Sequence, residues 1–275
     1  MSCHGTSNAS KPTTRKARTM KRTIRTSYET PGAGPIKDMR SGEAEPNFPY
    51  QLAQVETALE KTGLVNLAAF HPSPDEDIPI PAGASHAETV VLVGNGGGSM
   101  WQNFGSSRPT GEHPLDQWST KTLKTLAAQF SARMILPHEG PPYAPFQRWA
   151  LRSGQVHQSP IGILIHTKFG LWHSYRGALI FAHRLDLPPT DDSASPCSSC
   201  EEKPCLSACP VEAFQPGSYD LKRCVTHVSE LDGHDCQTSG CGARRACPVG
   251  REYVYAPAQA QFHMAAFLKM HGRKF

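Results

Sequence analysis

CSSCEEKPCLSACP, residues 197–210, places four cysteines within fourteen residues and follows the last with a proline. Whether this stretch holds one metal centre, shares two, or staples a loop decides how the rest of the chain is read. The run is C-x2-C-x4-C-x3-C-P. A second run, Cys224, Cys236, Cys241 and Cys247, is spaced C-x11-C-x4-C-x5-C-P and also closes on a proline, Pro248.

Disulfides, zinc and iron–sulfur clusters compete for such a set. Disulfides need an oxidising compartment. The N-terminal residues carry no apolar stretch of the secretory kind, so the thiols are expected to stay reduced. Zinc accepts Cys-x2-Cys pairs in a tetrahedral thiolate site. The two Cys-Pro endings instead mark iron–sulfur folds in which the fourth cysteine of each run crosses to the other cluster. Three closely spaced thiolates can wrap three irons of a cube, while the fourth iron faces away and takes its ligand from elsewhere. This predicts one [4Fe–4S] cluster on Cys197, Cys200, Cys205 and Cys247, and a second on Cys209, Cys224, Cys236 and Cys241. The irregular second run constrains the partition less than it constrains the ligand set. With eight thiols available, His227 and His234 beside the second run are not needed as ligands, and the ninth cysteine, Cys3, reads as an idle thiol.

The remainder of the chain is organised around this module. The 275 residues carry a formal net charge of +4, but Lys11, Arg15, Lys16, Arg18, Lys21, Arg22 and Arg25 all precede the first acid, Glu29. Without those seven, 21 basic residues face 24 acidic ones, a net of −3. The body thus lacks a nucleic-acid footprint. Residues 1–45 read as a basic, loop-rich tail unable to offset its ordering entropy. No apolar run reaches the ~18 residues of a membrane span, and a cytoplasmic protein is expected.

Residues 46–190 alternate helical and strand patterns. Leu52, Val55 and Leu59 recur at helical spacing, and Val90–Val93 form a short β-branched run. Leu115, Trp118, Leu123 and Leu126 define an amphipathic helix. ARMIL (132–136), IGILIHTKFG (161–170) and GALIFAHRLDL (177–187) are further strand candidates. Gly94, Gly96, Gly97 and Gly98 invite a dinucleotide-loop reading, but Ser99 occupies the third fingerprint glycine position. The alternation suits a layered α/β or α+β domain. The Pro-, Ser- and Asp-rich segment LPPTDDSASPC then introduces the cysteine module, residues 191–255. This module has too few apolar residues to build an ordinary core by itself. Residues 256–275 read as a terminal helix with Phe262, Ala266 and Met270 on one face.

The run SPIGILIHTKFGLWHSYRGALIFAHRLDLPP, followed by the first cysteine run, YDLKRCVTHVSE and DCQTSGCGARRACP, resembles the epoxyqueuosine reductase family of cobalamin-dependent iron–sulfur enzymes. Residues 46–270 are also similar to bacterial proteins labelled only ferredoxin or 4Fe–4S dicluster protein. The resemblance implies an α+β fold, with a nitroreductase-like α/β/α domain followed by a dicluster ferredoxin-like module. It further implies cobalamin or a flavin between the two, and a ferredoxin- or flavodoxin-type redox partner. The sequence departs from the family where the reaction is concerned. The family's catalytic Asp falls near Pro142, where no Asp stands, and Gln147 replaces the following Glu. The cysteine spacings x4 and x5 are longer than the family's, and nothing matches the helical-repeat tail that grips tRNA in some members. The scaffold is therefore expected without epoxyqueuosine reduction.

A second candidate site lies between Arg148 and Arg176. Arg148, Trp149, His166, Trp172, His173, Tyr175 and Arg176 concentrate aromatic and polar groups that could stack a flat ring and meet its anionic edge. The same residues fit a structural role, as core anchors with charged tips turned to water. Arg244 and Arg245, flanked by Cys241 and Cys247, could raise a cluster's potential or simply face solvent. Three functions follow: an iron–sulfur oxidoreductase passing electrons to a partner or an N-terminal cofactor, a plain ferredoxin-type electron carrier, or a zinc-stabilised binding module.

Overall fold

The structure, a computed structural model, describes residues 50–190 and 193–272. The basic tail and Cys3 lie outside the described residues. Helix α1, Leu52–Glu60, buries Leu52, Val55 and Leu59, the residues whose spacing predicts it. It leads through Gly63 into β1, Val65–Phe70. Strand β2, Thr89–Gly96, is buried along its whole length, as expected for a strand covered on both faces. Helices α2 (Trp101–Ser106) and α3 (Pro114–Gln129) follow; α3 starts with a proline in its first turn and buries Leu115, Trp118, Leu123 and Leu126. Strand β3, Arg133–Ile135, helix α4, Phe146–Leu151, and the short strands β4, Val156–Gln158, and β5, Leu164–His166, precede β6, His173–Phe181.

The main sheet has the order β1-β2-β6-β3, and every pair in it is antiparallel. Its two faces carry separate cores. Val91, Val93, Leu179 and Phe181 pack against residues of α1 and α3. Val90, Leu92, Ala178 and Ile180 pack against Phe146 and Trp149 of α4. This alternation is the period-2 pattern of a pleated strand. The fold is α+β. The IGILIHTKFG segment supplies β5, which pairs with β4 in a separate two-stranded sheet.

That small sheet supports the cysteine-bearing half. Ile161, Ile165 and Leu171 pack with Cys205, Cys209, Ala213, Phe214, Ala243 and Cys247 in one buried cluster. The apolar partners that residues 197–247 lack are thus drawn from residues 161–171. The cysteine half contains α5 (Pro204–Ser207), the hairpin strands β7 (Phe214–Gln215) and β8 (Ser218–Tyr219), α6 (Leu221–Ser229), α7 (His234–Ser239) and α8 (Gly242–Arg245).

The last helix, α9 (Pro257–His271), buries Gln259 and Ala260, whereas Ala266 and Met270 are exposed. The helical spacing holds, but the covered face is rotated from the one expected. Of the predicted trio, Phe262 packs inward, 5.5 Å from the ring centroids of both Trp101 and Phe104. Helix α9 therefore joins the last residues to the first helices. Among the described residues no helix is long and apolar enough to cross a membrane.

Candidate metal centres

The first cysteine run is folded by local hydrogen bonds. Ser195 turns the chain, its hydroxyl accepting from the Cys197 amide at 3.3 Å and its carbonyl from the Ser198 amide at 2.8 Å. Pro204 opens α5, so Cys205 sits in its first turn, and the Ala208 amide closes the turn onto the Pro204 carbonyl at 3.0 Å. Cys247 arrives from the far end of α8. Together Cys197, Cys200, Cys205 and Cys247 line a small cavity of about 20 Å3, walled by Pro160, Ile165, Pro196 and Val249.

The second set is assembled from four separate places. Cys209 follows α5, Cys224 lies in the first turns of α6, Cys236 in α7, and Cys241 caps the start of α8. Asp220 caps α6 by accepting from the Arg223 amide at 2.9 Å, a common N-terminal device. Cys209, Cys224, Cys236 and Cys241 line a second small cavity of about 20 Å3, closed by Phe214, Val228 and Met264. His227 also borders this cavity, whereas His234 is exposed. All eight cysteines are free of disulfides. Among the described residues no three His, Cys, Asp or Glu side chains converge closely enough to hold a single metal ion.

The electrostatics of these sulfurs are those of neutral thiols, which a bound cation would convert to thiolates. Burial pushes the thiols of Cys197, Cys205, Cys224, Cys236, Cys241 and Cys247 above the usual range, because desolvation penalises the thiolate. Hydrogen bonds oppose this. The Ala213 amide donates to Cys209 Sγ at 3.3 Å. The Gly242 amide faces Cys236, and the Ala243 and Arg244 amides face Cys241. Val249 serves Cys247, the Ser195 hydroxyl serves Cys197, and the Tyr219 hydroxyl serves Cys224. Buried sulfurs already wrapped in N–H and O–H dipoles suit metal-bound thiolates, whose remaining charge such donors stabilise. The donor set therefore fits a thiolate-ligated cluster.

Two solved structures show what this chain is similar to. One is epoxyqueuosine reductase from Bacillus subtilis, at a TM-score of 0.39 and 14% identity, over 61% of this chain and 50% of that one. The other is an epoxyqueuosine reductase with an epoxyqueuosine-modified tRNA-Tyr stem loop, at a TM-score of 0.40 and 14% identity, over 64% of this chain and 52% of that one. This chain spans about half the length of each of them. No protein-family model matches the sequence, and no curated protein is similar to it.

The residues of the second candidate site are distributed differently. Arg148 is exposed on α4, while Trp149 is buried in the sheet core, 5.4 Å from Phe146. Tyr175 packs on the same side, 6.5 Å from Phe146. Val93 pairs with Gly177 and Gly94 with Tyr175, so Arg176 is the extra residue of a β-bulge. It turns away to donate to Asn95 Oδ1 at 3.3 Å and Ser174 Oγ at 3.0 Å. His166 and His173 stand 5.6 Å apart, and His173 lies 5.6 Å from Tyr175. Burial lowers the pKa of His166 to about 4 and that of His173 to about 3. Both are neutral at pH 7. Trp172 packs 5.2 Å from Tyr255. The structure thus brings His166, His173, Tyr175 and Trp149 into one aromatic chain through Phe146, and separates Arg148 and Arg176 from it. Trp172 Nε1 and Tyr175 Oη are buried without a hydrogen-bond partner.

The glycines of the rejected dinucleotide motif serve packing. Gly94 and Gly96 lie within β2, and the Phe169 ring fills the space over Gly96, where a Cβ would come within 2.3 Å of it. Arg245 pairs with Asp235 and donates to the Gly240 carbonyl. Arg244 is held by Leu171, Trp172 and Tyr255 rather than by solvent. Sequence reasoning did not single out Tyr219 or Ser195. The five-residue offset of Tyr219 from Cys224 follows no periodicity that would signal a contact, because a hairpin and a helix cap create it.

Proposed function

We propose that this chain is an electron-transfer protein holding two [4Fe–4S] clusters. One is bound by Cys197, Cys200, Cys205 and Cys247, and the other by Cys209, Cys224, Cys236 and Cys241. The observation that carries the reading is the pair of separate cavities, each lined by four cysteines drawn from both runs. Four thiolates also suit one tetrahedral zinc ion, and the iron content of the purified protein separates the two. The crossing of Cys209 and Cys247 between the runs, and the proline after each, agree with a two-cluster ferredoxin-like module at residues 191–255. In this reading the module is packed on a nitroreductase-like domain at residues 46–190. Bound cubes supply one-electron steps; the chain supplies the buried thiolates, the hydrogen bonds to sulfur and the exclusion of water.

A plain carrier is favoured over an enzyme with its own substrate. Trp149 and Trp172 are 4% and 1% exposed and serve as core anchors, and the bulge at Arg176 takes one end of the polar wall away from the rest. The natural partner is then a ferredoxin- or flavodoxin-type redox protein. The orphaned Trp172 Nε1 and Tyr175 Oη favour a second reading, in which the N-terminal part holds cobalamin or a flavin, because buried donors left unpaired cost about 1–3 kcal/mol each. Anaerobic purification separates the two: bound cobalamin or flavin supports the enzyme, and clusters as the sole chromophore support the carrier.

A further inference from the structure

Two arginines at the seam between β6 and α9 carry charge without an acidic partner. Arg176, turned out by the bulge of β6, gives Nε to Asn95 Oδ1 at 3.3 Å and Nη2 to Ser174 Oγ at 3.0 Å. Arg244 gives Nε to the Leu171 carbonyl at 2.8 Å and lays its face over Trp172 and Tyr255. All of these partners are neutral. Among the described residues no carboxylate comes within ion-pair distance of either guanidinium, whereas Arg152, Arg223 and Arg245 pair with Glu76, Asp220 and Asp235. Asp116 of α3 acts on Arg176 by charge alone, without an ion pair. Both guanidiniums are half-buried, and a cation drawn out of water is unfavourable unless an anion accompanies it.

Buried Tyr255 brings the two together. Its hydroxyl accepts from Asn95 Nδ2 at 3.2 Å, and the same Asn95 holds Arg176. Its ring centroid lies 4.7 Å from Arg244 Cζ. The rings of Trp172 and His263 stand 5.2 and 5.3 Å from that of Tyr255. Trp172 Nε1 and His263 Nε2 are both buried with no hydrogen-bond partner, and an indole nitrogen can only donate.

We propose that the seam around Tyr255 is an oxyanion site that takes a phosphate group, with Arg176 and Arg244 supplying charge and Trp172 and His263 supplying neutral N–H donors. Two guanidiniums match a dianion, and their planar forks suit phosphate oxygens. Both terminal nitrogens of Arg244, and Nη1 of Arg176, have no hydrogen-bond partner among the described residues. The imidazole adds a donor rather than a third charge, because burial and the two guanidiniums lower the pKa of His263 to about 3. The protein thus leaves the counter-charge to the ligand. A bound phosphate would brace α8 and α9 against β6, since Arg244, His263 and Arg176 come one from each. None of its groups is a cysteine, so the site does not rest on the cluster proposal.

The test is calorimetric titration of the full chain, purified without oxygen, with inorganic phosphate and separately with glycerol 3-phosphate, at an ionic strength fixed with potassium chloride. Phosphate is expected to bind one to one, and Arg176→Gln to weaken it about tenfold or more. Tighter binding of the ester assigns the site to a phosphorylated small molecule; tighter binding of inorganic phosphate assigns it to the free ion. Denaturant unfolding of the wild type needs no folded variant: saturating phosphate is expected to raise the midpoint, and chloride at the same ionic strength to leave it in place. A wild type that binds neither compound, a midpoint that phosphate does not move, or a folded Arg176→Gln with unchanged affinity overturns the proposal. Phosphate binding by a protein without iron would support this site while refuting the clusters, which keeps the two failures distinct.

Discussion

Arg244 lies over the ring of Trp172, with Cζ 4.5 Å from the centroid. The same guanidinium is 4.7 Å from the centroid of Tyr255, and its Nε donates to the Leu171 carbonyl at 2.8 Å. A residue three positions after Cys241 thereby ties the metal-binding half to the strand-forming half. Arg244→Met removes a charged hydrogen bond and two cation–π contacts, and is expected to cost about 2–4 kcal/mol. Lys is expected not to restore it, because an ammonium lacks the planar face. Denaturant unfolding of the holoprotein measures both.

Gly170 meets Val249 where the small sheet touches the second Cys-Pro turn. Its φ is +56°, and a Cβ there would come within 2.0 Å of the Val249 carbonyl oxygen. Gly170→Ala must therefore displace the backbone two residues from Cys247. We expect a loss of at least about 2 kcal/mol and a lower iron content from release of the first cluster. Iron counting of the anaerobic holoprotein, together with its unfolding in denaturant, checks this.

The neighbours in sequence and the neighbours in space can be set against each other. Cys205 and Cys209 lie four residues apart but line different cavities, whereas Cys205 and Cys247 line the same one. The double variant Cys205→Ala/Cys247→Ala is expected to keep about four irons, as one cube requires, and Cys205→Ala/Cys209→Ala to keep almost none. Equal losses in both would contradict the partition.

Acidification should destabilise the strand-forming half before its carboxylates protonate. Burial holds His166 near pKa 4, and burial with the neighbouring His166 holds His173 near 3. The unfolded values lie near 6.5. Between pH 6.5 and about 4 the unfolded chain binds more protons than the folded one, so stability is full above pH 6.5 and falls as pH drops. The slope approaches about 1.4 kcal/mol per pH unit for each histidine. His173→Gln is expected to reduce that slope, as measured by unfolding at a series of pH values.

Much of the fold was legible because burial leaves a period in the sequence. The 3.6-residue spacing of Leu115, Trp118, Leu123 and Leu126 marks α3, and the apolar run Val90–Val93 marks β2. The eight cysteines of the described residues stand out by composition alone. What was hidden depends on contacts between distant segments. The bulge that turns Arg176 out of line with Tyr175 arises from pairing with β2. The buried face of α9 is set by Trp101 and Phe104, some 160 residues earlier. The role of Arg244 required two aromatic rings that no local pattern brings together.

The most direct measurement is the iron and acid-labile sulfide content of protein purified without oxygen. About eight irons and about eight sulfides per chain, with an electron paramagnetic resonance signal appearing on reduction, are predicted for two four-iron cubes. A colourless protein containing one or two zinc ions, and silent on reduction, would contradict the proposal.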